Sequence, residues 1–192
     1  MGPFELLVIG ASFGGPKAIE SILCDVPRGF PMPIVVCQHI TSGMTKIWAE
    51  SLAHRCRRRV TEVEKREKLR AGVVYIAPAG VQMRVMRTPS GPQARLDEDF
   101  TDSLHVPSID VLFSSAARDF GSRTLAVLLT GLGCDGASGM VQIRQAGGYT
   151  IGESSLTAAS YSMPGAAADA GGVVEELPLS RIAYRIKELG KA

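Results

Sequence analysis

Three short segments carry side chains that could do chemistry, two of them set among glycines that let the backbone present them. Gly10-Ala-Ser12-Phe-Gly14-Gly15 follows an apolar run. Read as G-x-S-x-G, it is a nucleophile elbow, a sharp strand-to-helix turn that holds a serine hydroxyl at the end of a sheet. Read as a glycine-rich phosphate loop, it offers backbone N–H groups to a dinucleotide. The dinucleotide fingerprint wants G-x-G-x-x-G, and Ser12 stands at its second glycine. The Walker pattern is also missing, because Gly15 is followed by Pro16 and Lys17. A purely structural turn is the third reading.

The second segment is Gln38-His39, at the end of another apolar run. A lone histidine is more often a hydrogen-bonding residue of the structure than a catalyst. Its position argues otherwise, because open parallel sheets bind ligands beyond the carboxyl ends of their strands. Ser12 and His39 follow consecutive strands of one βαβ unit and are expected side by side. His54, within a basic amphipathic helix, and His105, in an irregular stretch before Pro107, lack that placement. The third segment is Thr130-Gly131-Leu132-Gly133-Cys134-Asp135-Gly136. Asp135 either caps the helix that follows or orients His39, and one carboxylate can do both.

Together these groups meet the needs of acyl transfer from serine. Ser12 is the expected nucleophile, His39 the general base, and Asp135 the residue that fixes the imidazole tautomer. The N–H of Phe13 and a donor from the loop of Gly131, Leu132 and Gly133 are the expected oxyanion hole. The chain order Ser, His, Asp differs from the Ser, Asp, His of α/β-hydrolases.

The elements that must position these loops follow from hydrophobic periodicity. Strands are expected at 6–9, 34–37, 73–77, 84–86, 94–96, 125–129, 149–151 and 173–175, and helices at 16–23, 45–57, 109–120, 137–145, 158–168 and 180–189. The alternation predicts an α/β fold: a doubly wound, mostly parallel sheet with helices on both faces. The first, second and sixth of these strands are apolar almost throughout, as strands covered on both faces must be. Thr88-Pro-Ser-Gly-Pro92 predicts an antiparallel hairpin at one edge of the sheet. A single domain over 1–192 is expected, with nothing before the first strand.

Apolar residues form 45% of the chain and charged residues 21%, with a net charge of +2. That balance fits a globular protein and gives no field for nucleic acid or membrane. No apolar run is long enough to span a bilayer, no signal peptide is evident, and a cytoplasmic location is expected. Positions 55–70 are locally basic and are expected to be solvated surface. Cys24, Cys37, Cys56 and Cys134 form no C-x-x-C pair and are expected as free thiols. No zinc spacing can be assembled, and no metal or organic cofactor is expected.

The chain also resembles the catalytic domain of CheB-type protein-glutamate methylesterases. The resemblance rests on Ile9-Gly-Ala-Ser-Phe-Gly-Gly-Pro16, Gln38-His39, Tyr75-Ile-Ala-Pro78, Pro107-Ser-Ile-Asp-Val-Leu-Phe113, Leu129-Thr-Gly-Leu-Gly-Cys-Asp-Gly136 and Met163-Pro164. It implies hydrolysis of γ-glutamyl methyl esters on chemoreceptor helices and deamidation of receptor glutamines, with Ser12, His39 and Asp135 as the triad. Family members often carry an N-terminal receiver domain as regulator; the 192 residues do not include one, which leaves two readings, a free-standing esterase domain with a separate receiver-domain regulator or a piece of a longer chain. The chain departs from the family at Phe13 (usually Thr), Leu132 (usually Met), Gln82 (usually His) and Ser162 (usually Gly). Phe13 and Gln82 motivate a different target for the same mechanism. Two rival readings stand beside these: a non-catalytic regulatory module of the same shape, and a nucleotide-binding domain.

Overall fold

The computed structural model describes residues 4–97 and 103–191; the ends of the expected 1–192 domain lie outside them. Seven strands form the main sheet: β1 (Leu6–Ala11), β2 (Ile34–Gln38), β3 (Val60–Glu62), β5 (Val74–Ile76), β8 (Thr124–Leu128), β9 (Tyr149–Glu153) and β10 (Glu175–Leu177). Their order is β10-β9-β8-β1-β2-β5-β3, and every pairing is parallel. Successive side chains of a strand point to opposite faces, and β1 shows the result. Leu6 and Val8 enter one apolar layer; Leu7, Ile9 and Ala11 enter the other.

Helices cover both layers, as expected. α1 (Gly15–Asp25), α2 (Thr45–Arg55) and α6 (Leu179–Leu189) bury Ile19, Leu52 and Ile182 on one side. α3 (Ile109–Phe120), α4 (Ala137–Gln145) and α5 (Ser162–Asp169) bury Phe113, Met140 and Met163 on the other. α1 begins as its sequence suggests, with Pro in the first turn after Gly14 at φ 80°, a left-handed conformation that only glycine adopts freely.

The hairpin forms, but away from the edge of the main sheet. β6 (Gln82–Thr88) and β7 (Gly91–Asp97) join β4 (Arg66–Lys68) in a separate antiparallel sheet of order β4-β7-β6. That sheet packs against α3, where Ser115 Oγ accepts the Val85 N–H at 3.0 Å. The apolar face formed by Met83, Val85 and Ala94 explains the placement, since it must be covered. Two further expectations are corrected. The basic stretch 55–70 is not all solvated surface: it contributes β3 and β4, and Arg58 is buried with Nη1 donating to the Leu23 and Val26 carbonyls. Cys24 and Cys56 are joined in a disulfide, while Cys37 and Cys134 are free. Helices α1 and α2 follow neighbouring strands on one face, so their carboxyl ends meet with Cα atoms 4.4 Å apart. Spacing along the chain carries no sign of that meeting.

Candidate active site

The strand order sets β8, β1 and β2 side by side, and each expected reactive residue follows one of them. Ser12 comes directly after β1 and His39 directly after β2. Backbone hydrogen bonds carry the sheet one step into the loops: Ser12 N–H donates to Thr130 O at 3.0 Å, and His39 N–H to Ala11 O at 3.1 Å. Gln38 ties two of the loops together, its Nε2 donating to the carbonyls of Ser12 (2.8 Å) and His39 (2.9 Å).

Asp135 is buried and accepts four hydrogen bonds. Oδ2 accepts from His39 Nε2 and from Ile109 N–H, both at 2.8 Å; Oδ1 accepts from Ser108 Oγ and Asp110 N–H, both at 2.9 Å. Ile109 and Asp110 open α3, so Asp135 caps that helix and not α4, whose own cap is Gly136. Burial pushes the carboxyl up, but the bonds from His39, Asp110, Ile109 and Ser108 outweigh it and hold the pKa down at about 2. An ionised carboxylate only accepts, so His39 Nε2 carries the hydrogen and Nδ1 is the basic nitrogen. The Ser12 hydroxyl makes no hydrogen bond among the described residues, with His39 included. Unliganded hydrolytic sites commonly leave this contact open until substrate arrives.

Of the expected oxyanion residues, Phe13, Leu132 and Gly133 have N–H groups without a partner among the described residues. Gly131 is not available as a donor, because its N–H is committed to Ser160 O at 3.1 Å. It serves through its missing side chain: a Cβ there would lie 2.2 Å from Met163 Sδ and 2.8 Å from Ser12 Cβ. Thr130 fastens this floor, its Oγ1 donating to Phe13 O at 2.9 Å and accepting from Ser160 N–H at 2.9 Å. Phe13 and Leu132 themselves stand exposed at the rim, at 59% and 60%.

Sequence reasoning missed two residues, His105 and Ser108, and gave a third, Gln82, a different role. His105, expected away from the site, stacks on His39 with ring centroids 4.3 Å apart and planes 17° from parallel. Ser108 supplies one of the bonds to Asp135. Gln82 is wholly buried, donating from Nε2 to His105 O and accepting Ser108 N–H at Oε1, both at 2.8 Å. The available signal was the Pro107–Phe113 motif, whose chemistry shows only when the start of α3 meets Asp135. A cleft of about 540 Å³ opens beside this group, lined by His105, Ser108, Asp110, Val111, Cys134 and Asp135 among others. Among the described residues, no three His, Cys, Asp or Glu side chains gather in a way that could hold a metal ion. Among the described residues, no helix is long and apolar enough to cross a membrane.

The chain is similar to known proteins in sequence and in fold. The sequence model of the CheB methylesterase family matches residues 7–186. Protein-glutamate methylesterase/protein-glutamine glutaminase 1 of Carboxydothermus hydrogenoformans is 46% identical over 184 residues, covering 95% of this chain and 54% of the relative. Protein-glutamate methylesterase FrzG of Myxococcus xanthus is 42% identical over 182 residues, covering 94% of this chain and 53% of that one. The chain thus spans about half the length of the curated relatives it matches. The crystal structure of the Thermotoga maritima CheB methylesterase catalytic domain superposes with a TM-score of 0.93 at 33% identity, covering 97% of this chain and 98% of that one. A family match spanning nearly all of the sheet and every loop of the site leaves one assignment: the chain belongs to the CheB methylesterase family.

Proposed function

We propose that this chain hydrolyses glutamyl methyl esters and deamidates glutamines on the cytoplasmic helices of chemoreceptors, through a serine acyl-enzyme. The observation that carries the reading is the 2.8 Å bond from His39 Nε2 to an ionised Asp135, at the carboxyl ends of the central strands where Ser12 emerges. Nδ1 of His39 takes the Ser12 proton as Oγ attacks the ester carbonyl. The N–H groups of Phe13 and of Leu132 or Gly133 receive the oxyanion. His39 returns its proton to the departing methoxide, and methanol leaves; with a glutamine substrate, ammonia leaves instead. Water, deprotonated by His39, then hydrolyses the acyl-enzyme to free glutamate and restores Ser12. Throughout, Asp135 balances the charge of the imidazolium.

The protein acts in the cytoplasm and reaches membranes only through receptors. Incubation with methylated receptor membranes tests the central claim. Methanol release above a Ser12→Ala control is expected, and none above it would remove receptors from the reading. One observation favours a second target for the same chemistry. Phe13, exposed beside the nucleophile, puts an aromatic ring at the mouth of the site. Gln82 does not bear on substrate choice, because it is fully buried against the backbone. Labelling by a fluorophosphonate separates an esterase of either specificity from a non-catalytic module, which would form no adduct at Ser12.

A further inference from the structure

His105 is solvent-exposed, yet its ring lies flat on His39, 4.3 Å away, and makes no hydrogen bond among the described residues. An exposed side chain left to itself samples several rotamers. Here the backbone beneath it is fixed at several points. Gln82 Nε2 holds His105 O, Gly80 N–H holds Val106 O at 3.1 Å, Gln82 Oε1 takes Ser108 N–H, and Ser108 Oγ is bound to Asp135. A fully buried glutamine that spends both amide ends on one four-residue segment holds that segment still.

The geometry points to His105 as a positioning residue for the general base, with Gln82 as its anchor. Among the described residues His39 is held by a single ring hydrogen bond, from Nε2 to Asp135, and one bond does not stop the ring from tilting about it. The stacked ring of His105 closes that freedom. It restricts His39 to the plane in which Nε2 stays on Asp135 while Nδ1 remains on the open side, and it covers one ring face from water. Stacking of this kind depends on a flat ring and not on its nitrogens. The inference rests on His39 being the base and adds a residue that acts through it.

Two variants and two readouts test it. His105→Ala removes the ring from an exposed position, so the fold stays intact; His105→Phe keeps a flat ring without nitrogens. The first readout is the NMR signal of the His39 Nε2–H in the resting protein, which needs no substrate. It is expected to be protected from exchange in the wild type and in His105→Phe, and to broaden or vanish in His105→Ala. The second is the maximal rate of fluorophosphonate labelling at Ser12, expected to fall roughly tenfold in His105→Ala with the probe's half-saturation unchanged, and to recover in His105→Phe. Gln82→Met, which frees the anchored segment, is expected to lower the same rate, and adding His105→Ala to it is expected to lower it no further. A His105→Ala protein with wild-type exchange and labelling overturns the proposal, as does a His105→Phe protein no better than His105→Ala. Failure of the wild type to label at all would count against the esterase reading, and the exchange measurement would still decide this one.

Discussion

Asp135 and Asp110 exchange helix caps. Asp135, which precedes α4, accepts the first N–H groups of α3; Asp110, within α3, accepts the Gly139 N–H of α4 at 2.6 Å. Each carboxylate sits at the positive end of the other's helix. The loop that carries the triad acid is thereby fixed from both sides. The two carboxyls feel the arrangement differently. Burial pushes Asp110 up, the Gly139 bond lowers it, and the charge of Asp135 raises it again. For Asp135 the hydrogen bonds win, and its pKa falls to about 2.

Replacing Asp135 by Asn therefore disturbs more than charge. Four donors converge on its two oxygens, and an amide has one oxygen to offer. Turned toward Oδ1, the NH₂ leaves the Asp110 N–H unpaired. Turned toward Oδ2, it opposes both Ile109 N–H and His39. Asp135→Asn is expected to cost about 1–3 kcal/mol in stability and ~10³–10⁴-fold in turnover. Urea unfolding and ester hydrolysis, measured on one preparation, check both numbers.

The same carboxyl sets part of the acid stability. Its folded pKa of about 2 lies below the ordinary 3.8, so the folded state holds the ionised form more tightly. The stabilisation is then complete above roughly pH 4, and it is lost as the pH falls from there toward about 2. A gap of this size corresponds to about 2 kcal/mol. Unfolding curves between neutral and acid pH should show the difference between wild type and Asp135→Asn holding steady and then shrinking below pH ~4. A difference that stays constant down to the lowest pH would contradict the assignment.

Ser12 and His39 are expected to fail as a unit. With the proton acceptor gone, the hydroxyl is an ordinary alcohol; with the hydroxyl gone, the imidazole has nothing to activate. Ser12→Ala, His39→Ala and the double variant should show the same residual rate within a few-fold, far from the product of the two losses. Burst kinetics with an activated ester measure it, and a double variant clearly slower than either single one would refute joint action.

The site was legible where chemistry and local backbone coincide. Glycines flank Ser12 and Asp135 because the turns demand them, and the apolar strands before them reveal a sheet covered on both faces. Legibility ended where tertiary contacts decide. Val60–Glu62 and Arg66–Lys68 are three-residue strands of polar sequence, ordered by their partners β5 and β7. Helix α5 is expected from 158 but starts at Ser162, since Met163 N–H donates to Gly131 O and not back to residue 159, and Pro164 has no N–H for the Ser160 carbonyl, which accepts from Gly131 N–H. His105 carries no local mark of its stack, because the ring it meets follows a strand far away in the chain.

The disulfide gives a prediction of its own. Cys24 and Cys56 are 32 residues apart, and closing a loop of that length in the unfolded chain is worth about 3–4 kcal/mol in the entropic account. Cys56→Ser, or dithiothreitol on the wild type, is expected to lower the melting temperature. Neither should change Ser12 labelling at moderate temperature, because the link joins the far ends of α1 and α2. Equal melting with and without reductant would mean that the link contributes nothing.

Gly131 offers the sharpest test of how the nucleophile is seated. An added Cβ would press on Met163 Sδ at 2.2 Å and on Ser12 Cβ at 2.8 Å. The two contacts differ in what can yield. Met163 is flexible and can withdraw its thioether at an overpacking cost of about 1–3 kcal/mol. Ser12 Cβ moves only with its backbone, which is held by Thr130 O and by Gln38 Nε2, so relief must come from a backbone shift that carries the hydroxyl, or the loop facing it, out of place. Gly131→Ala is therefore expected to lose both stability and labelling rate, the latter by ~10²-fold for a shift near 1 Å. Adding Met163→Ala empties the sulfur side only. It should not restore the rate, whatever it does for the melting temperature. A double variant that labels at the wild-type rate would show that the floor beneath Ser12 is set by Met163 and not by the missing side chain of Gly131.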